Sequence, residues 1–256
     1  MSDPVLATPE GRLLFAGLRP LDWTLSLLGQ PTLDGFLLSR HLVIDSLLRE
    51  AIDDGSVTQV VEVGCGLSPR GLRFKREYGD RINYIEADLP EMAHLKRHRL
   101  ARLDEPMSRH SVATVDLLAD DGPHSLRHLL GTLDTDTGTA IITEGLVNYF
   151  DREATQAIFE HVAMALAPFP SGMYLTDLYL SGDASGPLVN LFGVALSIFV
   201  RGKVHVYGDD QAEIADAIRA AGFKSVSVQR ASEHEGSGRA GRDPAASMVR
   251  VVRATI

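Results

Sequence analysis

Four short stretches place glycines and acids where they could hold a small polar ligand, and one arginine joins them. In Val60-Val61-Glu62-Val63-Gly64-Cys65-Gly66 an apolar run ends in two glycines separated by one residue. Glycines after a buried strand let the backbone pass close to a ligand, where a Cβ would collide. Glu86 and Asp88 close a second apolar run about twenty residues on, the spacing at which an acid accepts the two hydroxyls of an adenosine ribose. Asp116 and Leu117 follow a third run. There a carboxylate can take the adenine amino group while the leucine packs on the ring. Glu144 and Gly145 end a fourth run, and Glu144 could face a cationic centre or a basic group. Arg40 lies on the apolar stripe of a helix, one turn from Phe36 and Ile44. A guanidinium so oriented needs an anionic partner, either a ligand carboxylate or a structural salt bridge to Glu62 or Glu86.

The dinucleotide fingerprint G-x-G-x-x-G wants a third glycine where this chain has Pro69. Glu62 beside the turn also suits a cationic ligand better than a diphosphate, so a nicotinamide oxidoreductase is disfavoured. S-adenosyl-L-methionine suits the features together: an adenosine with a sulfonium charge, an amino acid tail and no phosphates. The expected contacts are Arg40, Glu62, Gly64, Gly66, Glu86, Asp88, Asp116, Leu117 and Glu144. A non-catalytic binding module of the same fold is the alternative. Methyl transfer to oxygen is an in-line displacement, so alignment and exclusion of water should dominate catalysis. Asn148 and Tyr149 lie just beyond Glu144, where an acceptor would sit, and His124 is a candidate base after the third strand. A phenol, with pKa about 10, benefits from a base, whereas a carboxylate, with pKa about 4, needs none. The pairs His94/His98 and His124/His128 have helical spacing but no H-E-x-x-H pattern, and no metal is expected.

Apolar runs of β-branched residues bounded by turn formers predict strands over 57–63, 82–87, 111–115, 139–143 and 172–179, with a final pair over 224–230 and 248–254. Amphipathic spacing predicts helices over 35–52, 70–78, 90–103, 152–166 and 210–221. An apolar stretch over 188–200 reads as a helix that packs in the core, lines the acceptor pocket or makes a dimer contact. The Gly- and Ser-rich segment 232–244 reads as a mobile loop without chemistry. Alternating strands and helices indicate an α/β fold: one doubly wound, mostly parallel seven-stranded sheet over 1–256. Residues 1–54 would form an N-terminal helical cap, and the last two strands an antiparallel C-terminal hairpin.

The chain has 256 residues, and 25 Lys and Arg against 34 Asp and Glu leave a net charge of −9. That balance argues against a nucleic acid partner. The single cysteine leaves no disulfide framework and argues against a cysteine-rich zinc site. No run reaches the about 20 apolar residues that span a bilayer, and no signal peptide pattern opens the chain, so a cytoplasmic protein with no membrane partner is expected. It would act as a monomer or homodimer.

The motifs resemble the leucine carboxyl methyltransferase family, in particular its bacterial branch of tetracenomycin-type polyketide O-methyltransferases. The family pattern V-E-x-G-C-G-L-D-T-R is matched by Val61 to Arg70, with Ser68-Pro69 in place of Asp-Thr. E-x-D-L-P-E-V with a following lysine is matched by Glu86 to Met92 and Lys96. The D-L motif is matched by Asp116-Leu117, A-E-G-x-x-x-Y by Thr143 to Tyr149, and S-x-R-x-x-x-I-D by Ser39-Arg40 with Ile44-Asp45, the serine one place nearer. The resemblance runs from about Phe36 to Gly222 and implies a class I, Rossmann-like methyltransferase. It further implies that Arg40 binds the cofactor carboxylate, Gly64 approaches its amino acid end, and Asp88 holds the ribose with Glu86 nearby. Asp116 and Leu117 would frame the adenine, and Glu144 would close the site near the methionine portion. The implied acceptor is a small hydrophobic or aromatic acid or phenol of secondary metabolism. The family alternative is the C-terminal carboxylate of a protein or peptide.

Overall fold

The computed structural model describes residues 5–6, 8–103, 105, 108–180, 205, 208 and 210–256. The stretch 188–200, read above as an apolar helix, lies outside the described residues. Two helices open the chain, α1 (Pro9–Leu27) and α2 (Leu33–Asp53). There follow β1 (Gln59–Val63), α3 (Arg70–Tyr78), β2 (Asn83–Asp88), α4 (Pro90–Leu100), β3 (His110–Thr114), α5 (Leu126–Leu130), β4 (Thr139–Thr143), α6 (Arg152–Leu166) and β5 (Gly172–Tyr179). Then come α7 (Gln211–Ala220), β6 (Ser225–Arg230) and β7 (Val249–Thr255). Among the described residues, no helix is long and apolar enough to cross a membrane.

The seven strands form one sheet in the order β3-β2-β1-β4-β5-β7-β6. The first five are parallel, and β7 runs antiparallel between β5 and β6. This is the doubly wound α/β sheet predicted, with its antiparallel final pair. β1 and β4 are buried at every position, as a parallel strand covered on both faces must be. One face packs Val61, Ile85, Ile141 and Tyr174 against Leu126, Phe159, Val162 and Ile218 of α5, α6 and α7. The other packs Val60, Tyr84, Ile142 and Leu175 against Ile44, Leu48 and Phe74 of α2 and α3. α2 therefore rests on the sheet as a core layer, while α1 leaves Trp23 and Leu27 exposed. Thr32 caps α2 by accepting from the Gly35 N–H, and the Asp22 carboxylate accepts from the Leu33 and Asp34 N–H groups.

Segment 232–244 departs from the expected mobile loop. It winds through short 3₁₀ turns that pack on α2. Ala231 and Ala245 are buried, and the Asp243 carboxylate accepts from the Thr32 hydroxyl at 2.6 Å. Small residues permit the close approach: a Cβ on Gly236 would stand 2.4 Å from Ser46 Cβ. Glycine and serine here serve packing rather than freedom.

Candidate functional site

Strand order reverses around β1, whose neighbours are β2 and β4, and in such sheets the ligand crevice lies beyond the carboxyl ends at that reversal. The turn from β1 into α3 forms its floor. Gly64 and Gly66 have φ of +67° and +47°, a left-handed backbone that glycine adopts without strain. Their surroundings differ. A Cβ on Gly64 would lie 2.8 Å from Leu146 Cδ2, whereas one on Gly66 would meet nothing within 4 Å. The space beside Gly66 is therefore open, whereas Leu146 fills the space beside Gly64. Asp88 Oδ2 accepts from the Gly66 N–H at 2.7 Å and Oδ1 from the Leu89 N–H at 2.8 Å. Next along the sheet edge, Asp116 is exposed and Oδ1 accepts from the Leu118 N–H at 3.0 Å. Leu117 is buried, and its carbonyl lies 3.0 Å from His161 Nδ1. His161 Nε2 lies 3.0 Å from Asp120, so one α6 side chain holds the segment after β3 at two points.

Glu62 and Glu86 do not join this rim. Both sit on the strand face beneath the helices, and each carboxylate is neutralised there. Glu62 accepts from Arg70 Nη1 at 2.7 Å and from the Tyr84 hydroxyl at 2.8 Å. Glu86 pairs with Lys96 at 2.7 Å and His110 at 3.2 Å, all three side chains fully buried. The expectation that both contact a cofactor is corrected: buried ion pairs engage the carboxylates that would have done so.

Arg40 also has protein partners, though not Glu62 or Glu86. Its Nε stands 3.3 Å from Glu144 Oε1, Nη1 donates to Asp177 Oδ2 at 3.0 Å, and Nη1 also donates to the Tyr179 hydroxyl. Gly145 makes room for the guanidinium, since a Cβ there would lie 2.8 Å from Arg40 Nη2. Glu144 further binds Arg70 and His41 Nδ1, the latter at 3.0 Å. Arg70 continues to Asp45 at 2.6 Å, and Arg73 reaches the same acid at 2.8 Å. Burial works to raise the Glu144 carboxyl, but Arg70, His41 and Arg40 outweigh it and hold the group well below the usual carboxylate range. Burial raises the Asp177 carboxyl against the pull of Arg40.

Tyr149 follows Glu144 and is 40% exposed, the one ring of this cluster that opens to solvent among the described residues. Burial raises its phenol, opposed by Arg40, so it is a poor base at neutral pH. Asn148, expected in the acceptor pocket, has its amide engaged within the protein. It is buried, its amide nitrogen donates to the Asp177 carbonyl at 3.2 Å, and its oxygen accepts from the Tyr179 N–H at 3.1 Å. Both halves of the amide are thereby engaged in stitching the turn after β4 to the end of β5. His124 is misplaced as a base for Tyr149's neighbourhood. It is exposed in the segment after β3, three strand spacings from β4, about 14 Å at the usual separation. Only its carbonyl contributes, accepting from the Asp116 N–H at 2.8 Å. No cluster of His, Cys, Asp and Glu able to hold a metal ion occurs among the described residues.

Sequence reasoning left Arg70, Asp177, Tyr179 and His161 without roles. Asp177 carried a usable signal: an acid in the middle of the apolar run Tyr174 to Leu178 must find a cation. Arg70 stood in a quoted motif, but its partners lie 8 to 74 residues away along the chain.

This sheet order and crevice define a class I methyltransferase-type, Rossmann-like fold. A solved structure from Thermobifida fusca described as a putative methyltransferase superposes with a TM-score of 0.62 at 12% identity, covering 86% of this chain and 81% of that one. A structure titled PigF with SAH superposes with a TM-score of 0.53 at 17% identity, and this chain spans only 53% of its length. In sequence, a protein of Mycobacterium ulcerans assigned as an S-adenosyl-L-methionine-dependent methyltransferase is 29% identical over 219 residues, 82% of this chain and 68% of that protein. The family model for leucine carboxyl methyltransferase matches residues 20–163, more than half the chain, and the chain belongs to that family.

Proposed function

We propose that the chain is an S-adenosyl-L-methionine-dependent O-methyltransferase whose acceptor oxygen is a carboxylate, carried on a small hydrophobic or aromatic acid. The observation that carries the donor is the open turn at Gly66 with the Asp88 carboxylate bonded to it: no heavy atom within 4 Å of where a Cβ on Gly66 would stand, and an acid with lone pairs left for ribose hydroxyls. When bound, S-adenosyl-L-methionine supplies the methyl group from a sulfonium that leaves as a neutral thioether. Asp88 would hold the ribose, Asp116 and Leu117 the adenine, and Gly64 and Gly66 the amino acid end. Arg40 and Glu144, paired with each other at 3.3 Å, are the groups the family resemblance assigns to the carboxylate and methionine portion of the donor, which would have to compete with that pair. Membership in a family named for carboxyl methylation, and relatives named as putative S-adenosyl-L-methionine-dependent methyltransferases, support this reading.

The state of the candidate bases among the described residues supports a carboxylate acceptor. His41 is held between Glu144, Arg70 and Arg73, Tyr149 has a raised phenol pKa, and His124 is on the far rim. An ionised carboxylate needs no proton removed, so positioning alone suffices. Tyr149 would then orient the acceptor. Labelled methyl transfer tested against hydrophobic acids, phenols and peptides with a free C-terminus should yield a base-labile ester from the small acids. An ether from the phenols alone would overturn the carboxylate reading, and esters from peptides alone would transfer it to protein carboxylates. Polyketide acids of the tetracenomycin type belong in the first arm.

A further inference from the structure

Lys96 lies outside the donor and acceptor contacts, yet it is fully buried on α4, where Nζ donates to the Ser68 carbonyl at 2.9 Å and lies 2.7 Å from Glu86 Oε1. Ser68 belongs to the turn that begins at Gly64, and Glu86 belongs to β2, two residues before Asp88. The turn is thus tied to β2 at two points. On its donor side the Gly66 N–H binds Asp88 at 2.7 Å, and on its acceptor side the Ser68 carbonyl reaches Glu86 through the ammonium. His110 fixes the other oxygen of Glu86 from β3 at 3.2 Å. The fit is close, because a Cβ on Gly71 at the start of α3 would stand 2.5 Å from Glu86 Oε1.

A buried ion pair is weak as a source of stability, since apolar side chains of similar volume commonly do as well. What such a pair does supply is a fixed geometry, here that of a carbonyl in a glycine-rich turn free to adopt others. We propose that Lys96 is the positioning residue of the donor turn: by bridging Glu86 to the Ser68 carbonyl it sets the backbone that receives the amino acid end of the methyl donor. This rests on the donor reading given above.

The test compares two probes by calorimetry, S-adenosylhomocysteine and methylthioadenosine. They share the nucleoside and sulfur, and only the first has the amino acid end. In the double variant Lys96→Met/Glu86→Gln both charges go together, so no lone buried ion remains. Its melting temperature should stay near that of the wild type, with at least tenfold weaker binding of S-adenosylhomocysteine and unchanged binding of methylthioadenosine. Lys96→Arg retains the charge and should show a smaller loss, again confined to the first probe. Unchanged affinity for S-adenosylhomocysteine in either folded variant overturns the proposal, and so does equal weakening of both probes, the mark of general loosening. A wild-type protein that binds neither probe overturns the donor reading, and this inference with it.

Discussion

Asp88 shows how a residue can be both structural and open to a ligand. A carboxylate offers about four acceptor positions, and the N–H groups of Gly66 and Leu89 occupy one on each oxygen. The remainder are the positions the proposed ribose hydroxyls would use. Asp88→Asn should keep one acceptor oxygen and lose the charge-assisted bonds, weakening S-adenosylhomocysteine at least tenfold by calorimetry, about 1.4 kcal/mol or more. An unchanged dissociation constant in the folded variant would remove the ribose assignment. At this scale the sequence marked Asp88, Asp116 and Glu144 as candidates because each ends an apolar run, and the structure pairs Glu144 with Arg70 and Arg40. The sequence did not reveal which acids were taken. Glu62 and Glu86 share that local pattern, yet Arg70 and Lys96 neutralise them from helices whose packing no local spacing encodes. Arg40 was legible as a cation in need of an anion, but its partners Glu144 and Asp177 lie 104 and 137 positions further along the chain, one just past β4 and the other within β5.

Element by element, the parallel strands were the most legible part, since β1 and β4 are short apolar runs between turn formers and are buried throughout. α3 poses a subtler case. Pro69 stands where the dinucleotide fingerprint has its third glycine, the one that lets helix and strand pack closely. Gly71 fills that role instead, because its Cα faces Glu86 so tightly that a Cβ would lie 2.5 Å from the carboxylate. Gly71→Ala should therefore destabilise the fold by about 1–3 kcal/mol, the usual range for overpacking, read as a lower denaturant midpoint. A denaturant midpoint unchanged from that of the wild type would show that α3 can shift freely. Segment 232–244 escaped sequence reading for a related reason. Its glycines, serines and alanines signal a loop by composition, and only the presence of α2 beside them turns small size into close packing.

At the scale of the molecule, the helix layer of α2 and α3 carries a chain of buried charges from Asp45 through Arg70 and Glu144 to Arg40 and Asp177. Its acids respond to pH in opposite senses. Against the effect of burial, Glu144 is held down chiefly by Arg70, and Asp45 by Arg70 and His41. The stability these two contribute is present above the ordinary carboxyl pKa, about 4, and is lost as pH falls toward their lower folded values. Burial raises Asp177, so its contribution is greatest at low pH and is lost as pH rises through its folded value, a partial offset. Glu144 and Asp45 therefore set an acid limb, a denaturant midpoint that falls as pH drops below about 4, with the raised acids Asp177 and Asp34 opposing it. Glu144→Gln tests the assignment, because it removes one depressed acid while keeping a hydrogen-bonding side chain of similar size. The variant should be less stable at pH 7, where Arg70 and Arg40 lose an ion pair, and should lose less further stability on acidification than the wild type. An acid limb as steep as the wild type's would place the pH response in other carboxylates and leave Glu144 without its assigned share.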